Sequence, residues 1–326
     1  MNNIKFDSRT KALIALALVS FFWGTTYLAI TIGLGEGAGQ IHGLFMSAVR
    51  QSIAGFILVA WMLLSGVKMP RAKTMLQLAL IGILMLCMGN GLATWAMQYI
   101  PSGLGSVMSA SGPVFIAVFS HFLIAKVNWS PMLIIGMALG VLGVMGISFD
   151  YLEEFLNPNF TFGIILNLAA TLVWALGSVF AAKWKPNVHL MMGAGLQMIF
   201  GGAFLWLIVG IIGIDNLVSG PLGWNFWGSI AYLIVFGSLI SYSAFMYTLE
   251  HLPAAQASLY SYINPVVAVL LGWWILNENL NWITIVSMLT TVLGVYLVNT
   301  SFQIQYRKKK ALEKLAFEVI KSEDPY

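Results

Sequence analysis

The chain has 326 residues, 59% of them hydrophobic and only 9% charged, with a mean hydropathy of +0.86. A soluble domain carries about 25% charged residues, so this chain cannot solvate its own surface in water and reads as an all-α integral membrane protein. Its single cysteine, Cys87, excludes a disulfide framework and a cysteine metal site; the four histidines are scattered, and neither a metal nor another cofactor is expected.

A membrane-spanning helix needs about 20 predominantly apolar residues. Ten such stretches follow one another, at about 11–33, 43–65, 74–98, 103–125, 131–149, 161–182, 190–213, 226–248, 254–276 and 282–301. The connections are short and leave no room for a soluble domain. The first span follows Lys5, Arg9 and Lys11 as the core of a signal peptide would. No small-residue cleavage site follows it and nine more spans do, so it is expected to be retained.

Charge orients these spans. Lys5, Arg9, Lys11, Lys68, Arg71, Lys73, Lys126, Lys183, Lys185 and the basic residues from Arg307 onward fall in the termini or the even-numbered connections. The odd-numbered connections hold Glu36, Asp150, Glu153, Glu154, Asp215 and Glu278 and no basic residue. The positive-inside rule therefore places both termini in the cytoplasm. The net charge of +4 reflects orientation in a lipid bilayer and calls for no nucleic-acid partner. Arg50 alone among the basic residues is left inside a span.

The chain repeats itself. Tyr99–Ser130 aligns without a gap on His251–Trp282, matching Pro101 with Pro253, Ser106 with Ser258, Ser109 with Ser261 and Pro113 with Pro265. The second spans pair Arg50 with Gln197 and Gly55 with Gly202, and the fifth share Val-Leu-Gly-Val at Val141 and Val292. One five-helix unit thus covers 1–150 and a second covers 151–302. Five is odd, so the two units enter the membrane in opposite directions, as in the inverted repeats of many transporters. Residues 303–326 form a basic cytoplasmic tail. There Leu312, Leu315, Ala316, Val319 and Ile320 recur at helical spacing, as in a short amphipathic helix lying on the anionic leaflet or in a solvated tail.

The order of the spans, WGTTY at Trp23–Tyr27, the run Asn264–Trp282 and VLGVYLV at Val292–Val298 resemble the EamA-type permeases of the drug/metabolite transporter superfamily. The resemblance covers roughly residues 12 to 300. It implies an inner-membrane carrier, often an exporter of amino acids or other small metabolites. It also implies a central cavity lined by the first four helices of each unit, with the fifth helices peripheral. The family often has an acidic residue ending the fourth helix of both units; here Glu278 stands in the second and Lys126 in the first.

Candidate site residues follow from what is costly in hydrocarbon. Arg50 costs roughly 2.5–3.5 kcal/mol to insert, and no Asp or Glu lies within the interior of any span. It either meets a substrate carboxylate or phosphate, or snorkels outward to lipid or backbone. Pro113 and Pro265 each withhold an N–H from a carbonyl four residues earlier, on Ser109 and Ser261. These four residues form either a pair of hinges beside the site or two static kinks. Gln197, Asn90 and Asn264 each need a polar partner at depth, from the substrate or from another helix. Trp23, Tyr27, Trp95, Trp174, Tyr242 and Tyr260 lie deep within spans, as cavity walls or as core. His121 is the one titratable alternative to a buried carboxylate. Gly136, Gly140, Gly143 and Gly146 form a stripe suited to close helix packing or to a homodimer surface.

These features point to a secondary transporter for a small carboxylate-bearing solute, with export resting on the resemblance and import as its rival. No phosphate-binding loop is present, and no nucleophile–base pair at membrane depth points to an enzyme. A membrane protein that binds a ligand without moving it would gain nothing from two-sided symmetry.

Overall fold

Backbone N–H and C=O groups in hydrocarbon must be satisfied within the chain, and helices do this segment by segment. The computed structural model describes residues 7–35, 41–124, 129–147, 157–276 and 281–323. Among them the secondary structure is helical apart from one isolated bridge between Ile41 and Val218. In chain order we number α1 Ser8–Leu34, α2 Gly43–Leu64, α3 Ala72–Ala96, α4 Ser102–Ser109, α5 Gly112–Leu123 and α6 Pro131–Ile147. There follow α7 Pro158–Trp184, α8 Leu190–Ile212, α9 Trp224–His251, α10 Ala254–Ala257, α11 Tyr260–Leu276 and α12 Trp282–Glu323. Polar residues set several starts: Asp7 Oδ1 accepts from Thr10 N at 2.9 Å, and Asn157 Oδ1 accepts from Asn159 N at 3.0 Å.

Seven described helices are long and apolar enough to cross a membrane: α1, α2, α3, α7, α8, α9 and the Ile285–Gln305 part of α12. The expected fourth and ninth spans are each two helices end to end, and the fifth is the shorter α6. In the fourth, Pro113 lies in the first turn of α5, where its missing N–H costs little, so it opens a helix and does not kink one. In the ninth, Pro265 sits inside α11, while the break falls earlier, at Ser258–Leu259. The two breaks therefore do not occupy matching positions in the repeat. Both α3 and α9 carry an eight-residue π-helical stretch, Ile83–Asn90 and Leu233–Ile240.

Two of the helix pairs that join the halves pack through glycine. Along α2 and α8, a Cβ on Gly55 would meet Ile199 N at 2.8 Å, one on Gly202 would meet Ser52 N at 3.1 Å, and one on Gly195 would meet Val59 N at 3.1 Å. The partners run in opposite order, so the helices are antiparallel. The same holds for α6 and α12, where a Cβ on Gly136 would come within 2.9 Å of Val298 N and one on Gly143 within 2.6 Å of Thr291 N. The glycine stripe of α6 is thus packed against α12.

Contacts at the ends sort the connections. His42 N donates to Leu217 O at 2.7 Å at one end. At the other, Lys185 Nζ donates to Glu250 O at 3.2 Å and the Ser130 and Ser301 hydroxyls lie 2.7 Å apart. The tail departs from expectation. It continues α12 without a break to Glu323, a helix of 42 residues. At 1.5 Å per residue it is about 63 Å long, twice the roughly 30 Å of hydrocarbon it must cross. Lys126 and Glu278 lie outside the described residues.

Candidate functional site

Charge decides what the interior can hold. A cavity enclosing about 890 Å³, its open mouth included, lies between the two sets of helices. Residues of α1, α2, α3, α4, α5, α7, α8, α9 and α11 line it, and none of α6 or α12 does among those described. Arg50 is the only charged side chain on its described wall.

Arg50 is 5% exposed, and its Nε donates to Ser238 Oγ on α9 at 3.0 Å. A Cβ at Gly237 would stand 2.7 Å from Arg50 Nη2, so glycine there lets the guanidinium lie flat against α9. Gly237 and Ser238 belong to the π-helical stretch of α9, and Asn90 ends that of α3. Such stretches re-aim side chains and recur at functional sites. Beside Arg50, Gln51 Nε2 donates to Asn90 Oδ1 at 3.2 Å, tying α2 to α3.

The cavity's aromatic wall is built around Trp23. Its indole N–H donates to Gly237 O at 2.9 Å, which fixes the ring beneath Arg50. Its ring meets Trp174 edge-on at 5.4 Å, Tyr260 at 4.7 Å and Phe245 at 5.1 Å. Edge-to-face pairs at these distances contribute about 0.5–1.5 kcal/mol each beyond burial, so the wall is rigid. Tyr27 OH donates to Ser109 Oγ at 2.9 Å, joining α1 to the end of α4.

Tyr242 closes the far side of the cavity. Its hydroxyl donates to Gln197 Oε1 at 2.5 Å, across α9 and α8. Gln197 does not line the cavity. It lines a second space of about 540 Å³, shared with Lys185, Met246 and Glu250 at the opposite end of the bundle. The pair Tyr242–Gln197 thus stands between the two spaces. At the mouth of the second, Lys185 takes a left-handed conformation (φ 41°) that ends α7.

Of the residues picked from sequence, Trp23, Tyr27, Arg50, Asn90, Trp174, Tyr242, Tyr260 and Asn264 meet at the main cavity, as do Ser109 and Ser261. Gln197 stands behind Tyr242. Trp95 lies outside the lining, with its ring 5.1 Å from His42 and 5.6 Å from Phe162. Pro113 and Pro265 do not line the cavity either. His121 Nδ1 accepts from Trp129 Nε1 at 3.3 Å, away from it. Sequence reading missed Thr26, Gln51, Thr94, Thr171 and Ser238, which also line the wall. Gln51 had a readable signal, a second polar residue beside an arginine in an apolar span.

Fold and chamber together define a polytopic α-helical membrane protein with a largely apolar, open-mouthed cavity whose described wall carries one charge, that of Arg50. The chain matches the EamA-like transporter family twice, over residues 10–149 and 161–300, and it belongs to that family. It is 36% identical over 292 residues to the uncharacterized inner membrane transporter YedA of Escherichia coli K12, covering 88% of this chain and 89% of that one. It is 26% identical to the uncharacterized transporter YoaV of Bacillus subtilis, over 90% and 98% of the two chains. A WAT1-related chloroplastic protein of Arabidopsis thaliana is 28% identical over 86% of this chain and 67% of its own. A solved crystal structure superposes with a TM-score of 0.73 at 17% identity, covering 91% of this chain and 99% of that one, a likeness of fold.

Proposed function

We propose that this chain is an inner-membrane secondary transporter that exports a small carboxylate-bearing metabolite by alternating access. The observation that carries the reading is Arg50: a guanidinium buried against Gly237 and Ser238, on a cavity wall with no carboxylate among its described residues. An uncompensated buried cation is costly, and a substrate anion held by its two outer nitrogens would compensate it. The rigid aromatic wall beside it suits the apolar body of the same solute.

The architecture we propose is ten spans in two inverted repeats, with both termini cytoplasmic. The antiparallel pairing of α2 with α8 and of α6 with α12 supports it, because these are matching helices of the two family repeats. The basic residues of the termini and even connections support the orientation. The inner-membrane placement draws on the name of the Escherichia coli relative. Inverted halves give two nearly equivalent states, each open to one side. In the present state Tyr242 and Gln197 close the cavity towards the end where Lys185 meets Glu250.

The test is thermal stabilisation of the purified protein by a panel of carboxylates, beside Arg50→Gln, followed by flux in proteoliposomes. A ligand bound only by the native state raises apparent stability. Stabilisation by carboxylates that Arg50→Gln loses while remaining folded is the expected result. Equal responses from both proteins would remove Arg50 as the anchor.

A further inference from the structure

Oxygen acceptors gather on the cavity wall where the fourth and ninth spans break, beside the unpaired indole N–H of Trp174. Pro113 has no N–H to give the Ser109 carbonyl, and Val114 N turns to Ser111 O (3.1 Å), leaving Ala110 O without its helical donor. In the ninth span Pro265 withholds an N–H from the Ser261 carbonyl, and Ser261 N bonds Ser258 O (3.1 Å), not Ala257 O. Both breaks therefore leave carbonyls that no helical N–H caps.

The hydroxyls around them have already donated their protons. Ser109 Oγ gives its proton to Gly105 O (3.0 Å), Thr171 Oγ1 to Asn167 O (2.8 Å), Ser258 Oγ to Ala255 O (2.9 Å) and Ser261 Oγ to Ser258 O (2.9 Å). A hydroxyl has one proton, so these four can offer a ligand only lone pairs. All four residues line the cavity, and two of them flank Gly112: a Cβ there would stand 3.8 Å from Ser261 Oγ and 3.6 Å from Thr171 Cγ2. Asn167, fully buried one turn before Thr171, gives its amide N–H to Gly105 O at 2.8 Å, the carbonyl that Ser109 also uses. Its Oδ1 has no hydrogen-bond partner. A buried acceptor left unpaired costs about 1–3 kcal/mol, a cost that a bound donor or cation removes.

We propose that the meeting point of the two broken helices holds a subsite of neutral oxygens for a monovalent cation, formed by Ser109, Asn167, Thr171 and Ser261. Two sources share that chemistry: a sodium ion, or the ammonium group of a substrate whose carboxylate lies at Arg50. The second source rests on the proposed function. Neutral oxygens alone suit a single positive charge, whereas divalent ions take carboxylates. Uncapped carbonyls of broken membrane helices are a known setting for sodium ligation.

The experiment follows thermal unfolding of the full-length protein in detergent, in sodium chloride against choline chloride at equal ionic strength. A second arm compares leucine with isocaproate, the same skeleton without its amine. Each is run on the native protein, Thr171→Val and Ser261→Ala. A sodium effect that weakens about tenfold in half-saturation in both variants assigns the subsite to the ion. A leucine advantage over isocaproate that shrinks by a similar factor assigns it to the substrate's ammonium. No sodium effect together with no leucine advantage overturns the proposal, and so does either effect persisting unchanged in both variants. The isocaproate response of Arg50→Gln reports on the chamber separately, so failure of the subsite and failure of the transport reading are distinguishable.

Discussion

The second helices of the two family repeats, α2 and α8, start from the same plan and finish with different chemistry. Each opens behind a histidine, His42 or His189, and each carries a close-packing glycine, Gly55 or Gly202, facing the other helix. Eight residues after the histidine α2 has Arg50 and α8 has Gln197. Arg50 reaches into the cavity, with one bond to Ser238. Gln197 spends its oxygen on Tyr242 and stands outside the cavity. The packing surface is symmetric because both helices must approach closely. The polar positions are free to diverge: one faces the cavity and the other is taken up by Tyr242.

The largest effect should come from erasing that difference on the charged side. Arg50→Gln removes charge-assisted bonds of about 1.5–3 kcal/mol each. For an anion held by two of them, transport at low substrate should fall by roughly 100-fold or more. Flux in proteoliposomes measures it, and loss of less than tenfold would mean that α2 and α8 differ in sequence but not in role.

Next in size is a test of the symmetric surface. In the fifth helices, a Cβ on Gly294 would lie 2.5 Å from Gly140 N and 2.6 Å from Gly136 O. Gly294→Ala must push α12 from α6, costing about 1–3 kcal/mol and lowering the melting temperature by several degrees. Gly210→Ala, where nothing lies within 4 Å, is the control. Since no described residue of α6 or α12 lines the cavity, turnover per folded molecule should hold.

The apolar helical character and the twofold repeat that the family match shares were legible in the sequence because apolar length is what a bilayer imposes. Arg50 was legible for the same reason, as the one basic residue inside a span. The helix breaks were not. Pro113 is compatible with the interior or with the first turn of a helix, and only packing places it at the start of α5. Gln197 was read as a cavity residue from its match with Arg50, but Tyr242 takes up its oxygen. The acceptor cluster was hidden because serine and threonine look alike in sequence whether their protons face a ligand or a backbone carbonyl.

Tyr242→Phe sharpens the other side of the comparison. It leaves Gln197 Oε1 buried without its donor, at a cost of about 1–3 kcal/mol, and loosens the partition between the two spaces. With Cys87 replaced by serine and a cysteine placed at Ala93 on the cavity wall, a membrane-impermeant maleimide should label from the Lys185 end about tenfold faster in Tyr242→Phe. Unchanged labelling would show that the pair is not the closure.

The smallest effect separates the two histidines. His42 Nδ1 accepts from Leu44 N at 3.2 Å and caps α2, whereas His189 makes no side-chain cap to α8. Burial holds the His42 imidazole below its ordinary value of 6.5, because the cation is the poorer fit to its surroundings. A base whose folded pKa is depressed contributes stability above its unfolded pKa, and that contribution is lost as pH falls through the lower, folded value. Protonation also removes the lone pair that caps the helix. The ring is partly exposed, so the loss should be a fraction of the roughly 1 kcal/mol a cap contributes. Melting curves between about pH 7.5 and about pH 5 should therefore slope downward in the native protein and in His189→Asn. They should flatten in His42→Asn, which keeps a capping acceptor that does not titrate. A slope that survives in His42→Asn would place the acid-sensitive group elsewhere, and the two helix starts would then be equivalent in function as well as in sequence.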